Sequence, residues 1–138
     1  MRITGLGLDI VEISRLKGAS ERFGQKLASR LFTEAELRET PGEGPARWST
    51  LAGKWAAKEA VVKALGTGFR GMSWKDVEIT RDAWGRPRVT LTGGAADLAR
   101  QAGVTGIHVS ITHEKGLAAA NAVAFTDSPV PGGANSIF

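Results

Sequence analysis

The first strand is predicted from a run of apolar and β-branched positions near the start of the chain. Residues 3–11 read Ile-Thr-Gly-Leu-Gly-Leu-Asp-Ile-Val, so two glycines interrupt the run. Such a run is typical of a buried strand, and glycine within a strand marks a close approach by another backbone. We therefore expect these residues to form a strand in the core.

Helical spacing replaces this pattern over residues 12–31. Apolar residues recur there at intervals that place them on one face, and basic residues occupy much of the remaining surface. Gly18 and Gly24 are expected to divide the segment into short helices. Thr33 and Glu36 then have the spacing of a capping box, which predicts the start of another helix.

The best-defined helix is predicted from about Ala46 to Leu65. It stops at Gly66, since glycine adopts the positive φ of a helix C-terminus without steric cost. Alanines spread small apolar surface around much of this helix, so we expect it to be packed on several sides. Helical spacing places Glu59 and Lys63 beside these alanines rather than on a fully solvent-exposed face.

Two β-hairpins are predicted in the second half of the chain. Alternating positions indicate strands at 77–79 and 89–91, and again at 107–112 and 117–125. A short helix at 94–101 separates the two hairpins. The fold class is therefore α+β, with antiparallel hairpins packed around a long central helix.

The chain length of 138 residues fits one core. We expect residues 1–125 to form a single domain and the Pro- and Gly-containing segment 126–138 to be a flexible tail. No apolar stretch approaches the roughly 20 residues that span a bilayer, so the protein is expected to be cytoplasmic, without a membrane partner. The absence of cysteine excludes disulfides, thiolate nucleophiles and Cys-ligated zinc.

The net charge of +4 is modest, although the sequence pI is about 9.9. Lys and Arg are scattered among acids along the chain, whereas a nonspecific nucleic-acid binder usually clusters them. A small acidic ligand or an acidic protein partner fits this distribution better.

Two carboxylates are the candidates for chemistry. Asp9 ends a predicted strand, although Asp at such a place is often a helix cap. Glu59 lies among alanines, where a carboxylate is costly unless a cation is near, although an ion pair with Lys63 is an equal alternative. Together they suit a magnesium ion that takes its other ligands from water and a substrate phosphate. Lys54, Lys58 and Lys63, followed by the loop Gly66-Thr67-Gly68, could then bind phosphate.

His108 and His113 flank one predicted strand. They are five positions apart, so strand alternation directs them to opposite faces and they cannot readily share a ligand. A strand histidine is more often packed than catalytic. Ser110 and Thr112 between them are ordinarily simple strand residues.

Several of these residues belong to motifs that closely resemble those of the bacterial holo-acyl-carrier-protein synthases, which are 4′-phosphopantetheinyl transferases. The resemblance covers roughly residues 3 to 125, in the order and spacing of the family. The motifs are Gly5-Leu6-Gly7-Leu8-Asp9-Ile10, Phe32-Thr33 with Glu36, Trp55-Ala56-Ala57-Lys58-Glu59-Ala60 through Lys63, Gly66-Thr67-Gly68, and His108-Val109-Ser110-Ile111-Thr112-His113.

The resemblance implies transfer of phosphopantetheine from coenzyme A to a serine of an acyl carrier protein, with release of adenosine 3′,5′-bisphosphate. It also implies the 4′-phosphopantetheinyl transferase fold and a homotrimer with each active site between subunits. Magnesium would be held by Asp9 and Glu59. Glu59 would also be the base for the serine, and Lys63 would neutralise phosphate.

The remaining assignments concern the two substrates. The resemblance implies that coenzyme A is bound by Lys63, by the 66–68 loop and by the 108–112 strand. Within these segments the assigned residues are Gly66, Thr67, Gly68, His108, Ser110 and Thr112. The carrier is strongly acidic in this family, which assigns Arg15 and Arg22 to carrier binding through charge complementarity.

Two other functions are compatible with parts of the sequence. The pI allows a basic nucleic-acid-binding module, whose affinity would fall steeply with salt and need no magnesium. A non-enzymatic trimeric scaffold would use Glu59 and Lys63 as an interface pair. Whether the carrier serves fatty acid synthesis, polyketide assembly or both is left open by the sequence.

Overall fold

The computed structural model of the chain describes residues 1–127 and 137–138. These residues form five strands, five α-helices and a short 3₁₀ helix at Trp74–Asp76. The strands are β1 (Arg2–Glu12), β2 (Val77–Arg81), β3 (Pro87–Leu91), β4 (Gly106–Glu114) and β5 (Leu117–Thr126). The helices are α1 (Ile13–Phe23), α2 (Gln25–Leu31), α3 (Glu34–Arg38), α4 (Pro45–Leu65) and α5 (Gly93–Gln101).

The strands form two antiparallel sheets around α4. One sheet has the order β1-β5-β4, and the other is the β2–β3 hairpin. Helix α4 packs against β1, β5 and β4 on one side and approaches β2 on another. The α+β class, both hairpins and the long central helix are thus confirmed. None of the described helices has the length and apolar character needed to cross a membrane.

Local sequence features predicted most helix ends correctly. Gly66 ends α4 at φ +77°, and Thr33 with Glu36 forms the predicted capping box at the start of α3. Gly24 separates α1 from α2, as expected. The predicted break at Gly18 is wrong, since α1 continues through it. A single glycine costs a helix only about 1 kcal/mol.

The expectation that the first strand is buried is also wrong. Leu6, Leu8 and Ile10 are 70%, 69% and 64% exposed. The reason is that α4 covers only one face of β1. Among residues 1–127 and 137–138 nothing covers its other face, which carries an apolar strip of Leu6, Leu8 and Ile10.

The predicted close backbone approach at the glycines of β1 is confirmed. A Cβ atom on Gly5 would lie 1.8 Å from the Ala64 carbonyl oxygen, and one on Gly7 would lie 1.8 Å from the Ala60 carbonyl oxygen. Since real Cβ atoms do not come so near an oxygen, only glycine lets β1 lie directly against the α4 backbone.

Gly7→Ala is expected to destabilise the protein, because the added methyl group must push β1 away from α4. Overpacking of this kind costs about 1–3 kcal/mol, measured as the free energy of unfolding in urea. Gly18→Ala is the matched control, since nothing lies within 4 Å of its added Cβ and alanine favours a helix. Equal stability of the two variants would contradict the proposed packing.

Most of the predicted flexible tail, residues 128–136, lies outside the described residues. Ile137 and Phe138 are described; Ile137 is buried, whereas Phe138 is 43% exposed. Ile137 is 3% exposed and accepts a hydrogen bond from the Leu91 amide at 2.7 Å. The Arg100 guanidinium lies 4.4 Å from the centre of the Phe138 ring.

Candidate active site

Asp9 lies on the face of β1 that packs against α4. It shares this face with the two glycines, whose lack of side chains brings the strand close to the helix. Its side chain is 12% exposed, and Lys63 Nζ lies 2.9 Å from Asp9 Oδ1. The same ammonium group donates to the Leu8 carbonyl oxygen at 2.9 Å. The ion-pair partner of Lys63 in the structure is thus Asp9, whereas the sequence suggested Glu59.

Asp9 Oδ2 has an unsatisfied position. It is buried, and while Glu59 is ionised no donor in residues 1–127 or 137–138 forms a hydrogen bond with it; a protonated Glu59 carboxyl could donate to Asp9. A buried acceptor without a partner is costly, and such groups often mark the place of a missing ligand or ion.

Glu59, on α4, is half-buried beside Asp9. Burial is the main cause that raises the pKa of Glu59, and interaction with the Asp9 carboxylate raises it further, to about 8. Lys63 opposes this shift by attraction. Two neighbouring carboxylates repel each other unless a proton or a cation lies between them.

The site fits a divalent cation, because it combines a carboxylate pair with a buried oxygen that lacks a donor. Within the described part of the chain, no group of three or more His, Cys, Asp or Glu side chains could hold a metal. Asp9 and Glu59 would therefore leave most of the coordination to water and substrate, as magnesium sites usually do.

The loop after α4 begins close to Lys63. Gly66 follows Lys63 by three residues and adopts a left-handed conformation. Thr67 and Gly68 come next, and the Thr67 hydroxyl donates to the Gly68 carbonyl oxygen at 3.2 Å. Phe69 then stacks on Trp74 at 4.1 Å, which ties the far end of the loop to the fold.

His108, Ser110 and Thr112 lie on the other face of the three-stranded sheet. Their exposed positions alternate with inward residues of β4, and β5 separates β4 from β1. The His108 ring stacks on Phe125 at 5.1 Å, and Ser110 Oγ donates to Asn121 Oδ1 at 2.5 Å. One chain therefore does not bring these three residues to Asp9.

His113 points to the opposite face from His108, as strand alternation predicts. Its Nε2 atom lies 2.8 Å from the Ser49 carbonyl oxygen of α4. This contact gives His113 a packing role at the helix.

The suggestion that Lys54 and Lys58 bind phosphate is wrong. Lys58 is fully buried, 2.8 Å from Glu36 Oε1, and donates to the carbonyl oxygens of Trp74 and Val77. Burial lowers the pKa of Lys58, and Glu36 opposes that shift. Lys54 is also buried, 2.6 Å from Glu39 Oε1. Both ammonium groups form structural ion pairs, so among the three lysines of this helix Lys63 is the exposed one.

Sequence reasoning missed these ion pairs. Glu36 was noticed only as a capping residue, yet its Oε2 atom also accepts from the Ile79 amide at 2.9 Å. The available signal was the position of both lysines on a helix rich in alanine, where a charge needs a buried partner.

A groove of about 580 Å³ adjoins Glu59 and runs beneath α1. Arg15 lines the groove, and Arg22 lies two turns further along the same exposed side of α1. The lining consists mostly of apolar residues from β1, α1, α2, α4 and β5, namely Ile10, Val11, Leu16, Ala19, Leu27, Leu31, Trp55 and Leu117.

Comparison with known proteins shows the family of this chain. The family model described as the 4′-phosphopantetheinyl transferase superfamily matches residues 5–122. A holo-[acyl-carrier-protein] synthase from Desulforudis audaxviator is 49% identical over 122 residues, which is 88% of this chain and 92% of that protein. The chain belongs to the holo-[acyl-carrier-protein] synthase family. It is thus a 4′-phosphopantetheinyl transferase, and the non-enzymatic scaffold is rejected.

Solved structures of the family have the same fold. The holo-[acyl-carrier-protein] synthase of Neisseria meningitidis superposes with a TM-score of 0.82 at 35% identity, covering 90% of this chain and 99% of that one. The Helicobacter pylori enzyme, solved in complex with coenzyme A, gives a TM-score of 0.77 at 29% identity, covering 87% and 99%. The predicted transferase fold is confirmed.

Proposed function

We propose that this enzyme transfers the 4′-phosphopantetheine arm of coenzyme A to a serine hydroxyl of an acyl carrier protein. The serine oxygen forms a bond to the β-phosphorus, and the bond from that phosphorus to the bridging oxygen breaks. Adenosine 3′,5′-bisphosphate leaves, and the serine proton passes to a base. The observation that carries the proposal is the cluster of Asp9, Glu59 and Lys63 in a member of this family.

Asp9 and Glu59 are proposed to hold Mg²⁺, supported by the unsatisfied Asp9 Oδ2 atom beside a second carboxylate. When bound, the ion would supply positive charge that the pyrophosphate of coenzyme A needs for binding and for departure of the bisphosphate. By holding the ion, the two carboxylates would orient the substrate phosphates that it binds.

Lys63 is proposed to bind phosphate oxygens. Its side chain is 54% exposed, so the ammonium group can contact a ligand while staying near Asp9. Glu59, directly or through a water molecule, is proposed to accept the serine proton. Phosphoryl transfer depends mainly on charge neutralisation and alignment, and these residues provide both.

Three of the other coenzyme A assignments, His108, Ser110 and Thr112, require a second copy of the chain. The acidic cluster consists of Asp9, Glu59 and Lys63. The loop 66–68 follows α4, which carries Glu59 and Lys63. His108, Ser110 and Thr112 lie on the far face of the sheet. We propose that this face meets the acidic cluster of a neighbouring subunit in a homotrimer.

The apolar strip of Leu6, Leu8 and Ile10 supports this assembly, because it lies on the same sheet face and is exposed in the single chain. Sedimentation at micromolar concentration is expected to show a trimer. A monomer that transfers phosphopantetheine would contradict the shared site.

The carrier is proposed to dock on α1. Arg15 lines the groove beside Glu59, and Arg22 extends the basic side of the helix. An acidic carrier would be steered to this surface and oriented by it. Its serine would then enter the groove next to the acidic cluster.

Arg15→Glu is expected to raise the KM for the carrier about tenfold or more, because like charges at a docking surface oppose encounter. The KM for coenzyme A should change little. Both constants are measured by steady-state kinetics with the other substrate saturating. Arg38→Glu, at an exposed position of α3, controls for the change in net charge. Equal effects on the two KM values would count against docking at Arg15.

The proposed function is tested by incubating the enzyme with coenzyme A, Mg²⁺ and an unmodified acyl carrier protein, followed by intact mass spectrometry of the carrier. The expected product carries one phosphopantetheine group, and the reaction should stop when a chelator removes the metal. An unchanged carrier mass would reject the proposal. Modification at full rate in the presence of the chelator would reject the metal assignment alone.

A further inference from the structure

Ile137 fills the seam between the two sheets. Among the described residues, the β2–β3 hairpin shares no strand pairing with the three-stranded sheet. The Ile137 side chain belongs to the buried cluster that joins Val89 and Leu91 of β3 to Ile107 of β4. It also lines a small cavity of about 60 Å³ together with His108. Ile137 therefore touches the hairpin side and the sheet side of the seam at once.

Residues 137 and 138 are held at this place by directional contacts. The Leu91 amide donates to the Ile137 carbonyl oxygen at 2.7 Å, while Leu91 pairs across the hairpin with Val77. The Arg100 guanidinium of α5 lies over the Phe138 ring at 4.4 Å, within cation–π range. The two residues thus connect β3 and α5 to the seam.

We infer that Ile137 and Phe138 are positioning residues that hold the β2–β3 hairpin against β4 and so fix the place of His108. This inference rests on the proposed function, in which His108 contacts coenzyme A. Residues 137 and 138 lie beyond the segment 5–122 that the family model matches, so the family match does not account for this contact. They act through His108 and the hairpin, without touching the reacting atoms.

Ile137→Ala is the test, with Leu51→Ala as the matched control. Leucine and isoleucine are isomers, so both variants lose the same atoms. Leu51 is 1% exposed and belongs to the separate cluster under α1 and α2. Ile137→Val keeps most of the side chain and should restore the behaviour of the unmodified enzyme.

Two readouts separate positioning from a general loss of stability. Hydrogen exchange of the Leu91 amide, followed by NMR, should accelerate about tenfold or more in Ile137→Ala, because its acceptor is no longer held. The KM for coenzyme A should rise about three- to tenfold while kcat stays within about twofold, since no reacting group is removed. Leu51→Ala should lower the thermal midpoint without changing the KM for coenzyme A, and exchange of its Leu91 amide should accelerate no more than that of other core amides, which follow global unfolding.

Unchanged protection of Leu91 in Ile137→Ala would overturn the inference, as would faster exchange with an unchanged KM for coenzyme A. Failure of the proposed function is recognised separately, because the unmodified chain would then not modify the carrier at all. The exchange measurement needs no activity, so it tests the contact between Ile137 and β3 in either case.

Discussion

Asp9→Asn lowers the rate of phosphopantetheine transfer about 10³-fold or more, because the proposed metal site loses one of its two protein ligands. Metal stabilisation of transferring phosphates is worth several kcal/mol, and each 1.36 kcal/mol corresponds to about a tenfold change in rate. The measurement is single-turnover modification of the carrier at saturating coenzyme A and Mg²⁺. Calorimetric titration with Mg²⁺ and coenzyme A should show weaker binding of the ion.

The thermal stability of Asp9→Asn, unlike its transfer rate, is not expected to decrease. Asp9 lies beside Glu59, so removing its charge relieves repulsion once Glu59 is ionised, above its pKa of about 8, and this offsets the loss of the ion pair with the exposed Lys63. At pH 9 the thermal midpoint of Asp9→Asn should therefore equal or exceed that of the unmodified enzyme. Asp97→Asn is the control, since Asp97 is 70% exposed in its weak pair with Arg100. Near-normal turnover of Asp9→Asn would remove Asp9 from the metal site.

Lys58→Met is expected to cause the largest loss of stability. The change leaves the Glu36 carboxylate without its cation in a fully buried place, and the carbonyl oxygens of Trp74 and Val77 lose a donor. Breaking one half of a buried ion pair costs about 3–5 kcal/mol. The free energy of unfolding in urea provides the measurement.

Two further variants test whether the loss of stability comes from the broken ion pair. Lys75→Met removes an exposed lysine of the neighbouring 3₁₀ helix and should change stability by less than about 0.5 kcal/mol. The double variant Glu36→Gln with Lys58→Met removes both charges and should recover part of the loss. A Lys58→Met protein as stable as the Lys75→Met control would show that the ion pair is not formed.

The elements could be predicted because their signals are local. Gly66 ends α4 through its own backbone freedom, and Thr33 caps α3 through a contact three residues away. The opposite directions of His108 and His113 follow from strand alternation alone. Each of these features depends on a few neighbouring residues, which the sequence displays directly.

The surroundings of side chains could not be predicted in the same way. The apolar residues of β1 indicated burial, but α4 covers only one face of that strand and leaves Leu8 exposed on the other. Lys58 and Lys63 looked alike on one helix, yet Glu36 lies near the first and Asp9 near the second. Such differences arise from segments distant in sequence, so no local pattern records them.

Direct contact between the backbones of β1 and α4 also limits how the distance between Asp9 and Glu59 can change. Gly5 and Gly7 place β1 on the carbonyl oxygens of Ala60 and Ala64, with no side chain in between. The main-chain spacing between β1 and α4 is therefore fixed, and only rotation of the Asp9 and Glu59 side chains can adjust the gap in which a cation would lie. A side chain added at Gly5 or Gly7 would widen that spacing, so variants that prefer a larger ion, such as calcium, are expected at these two glycines.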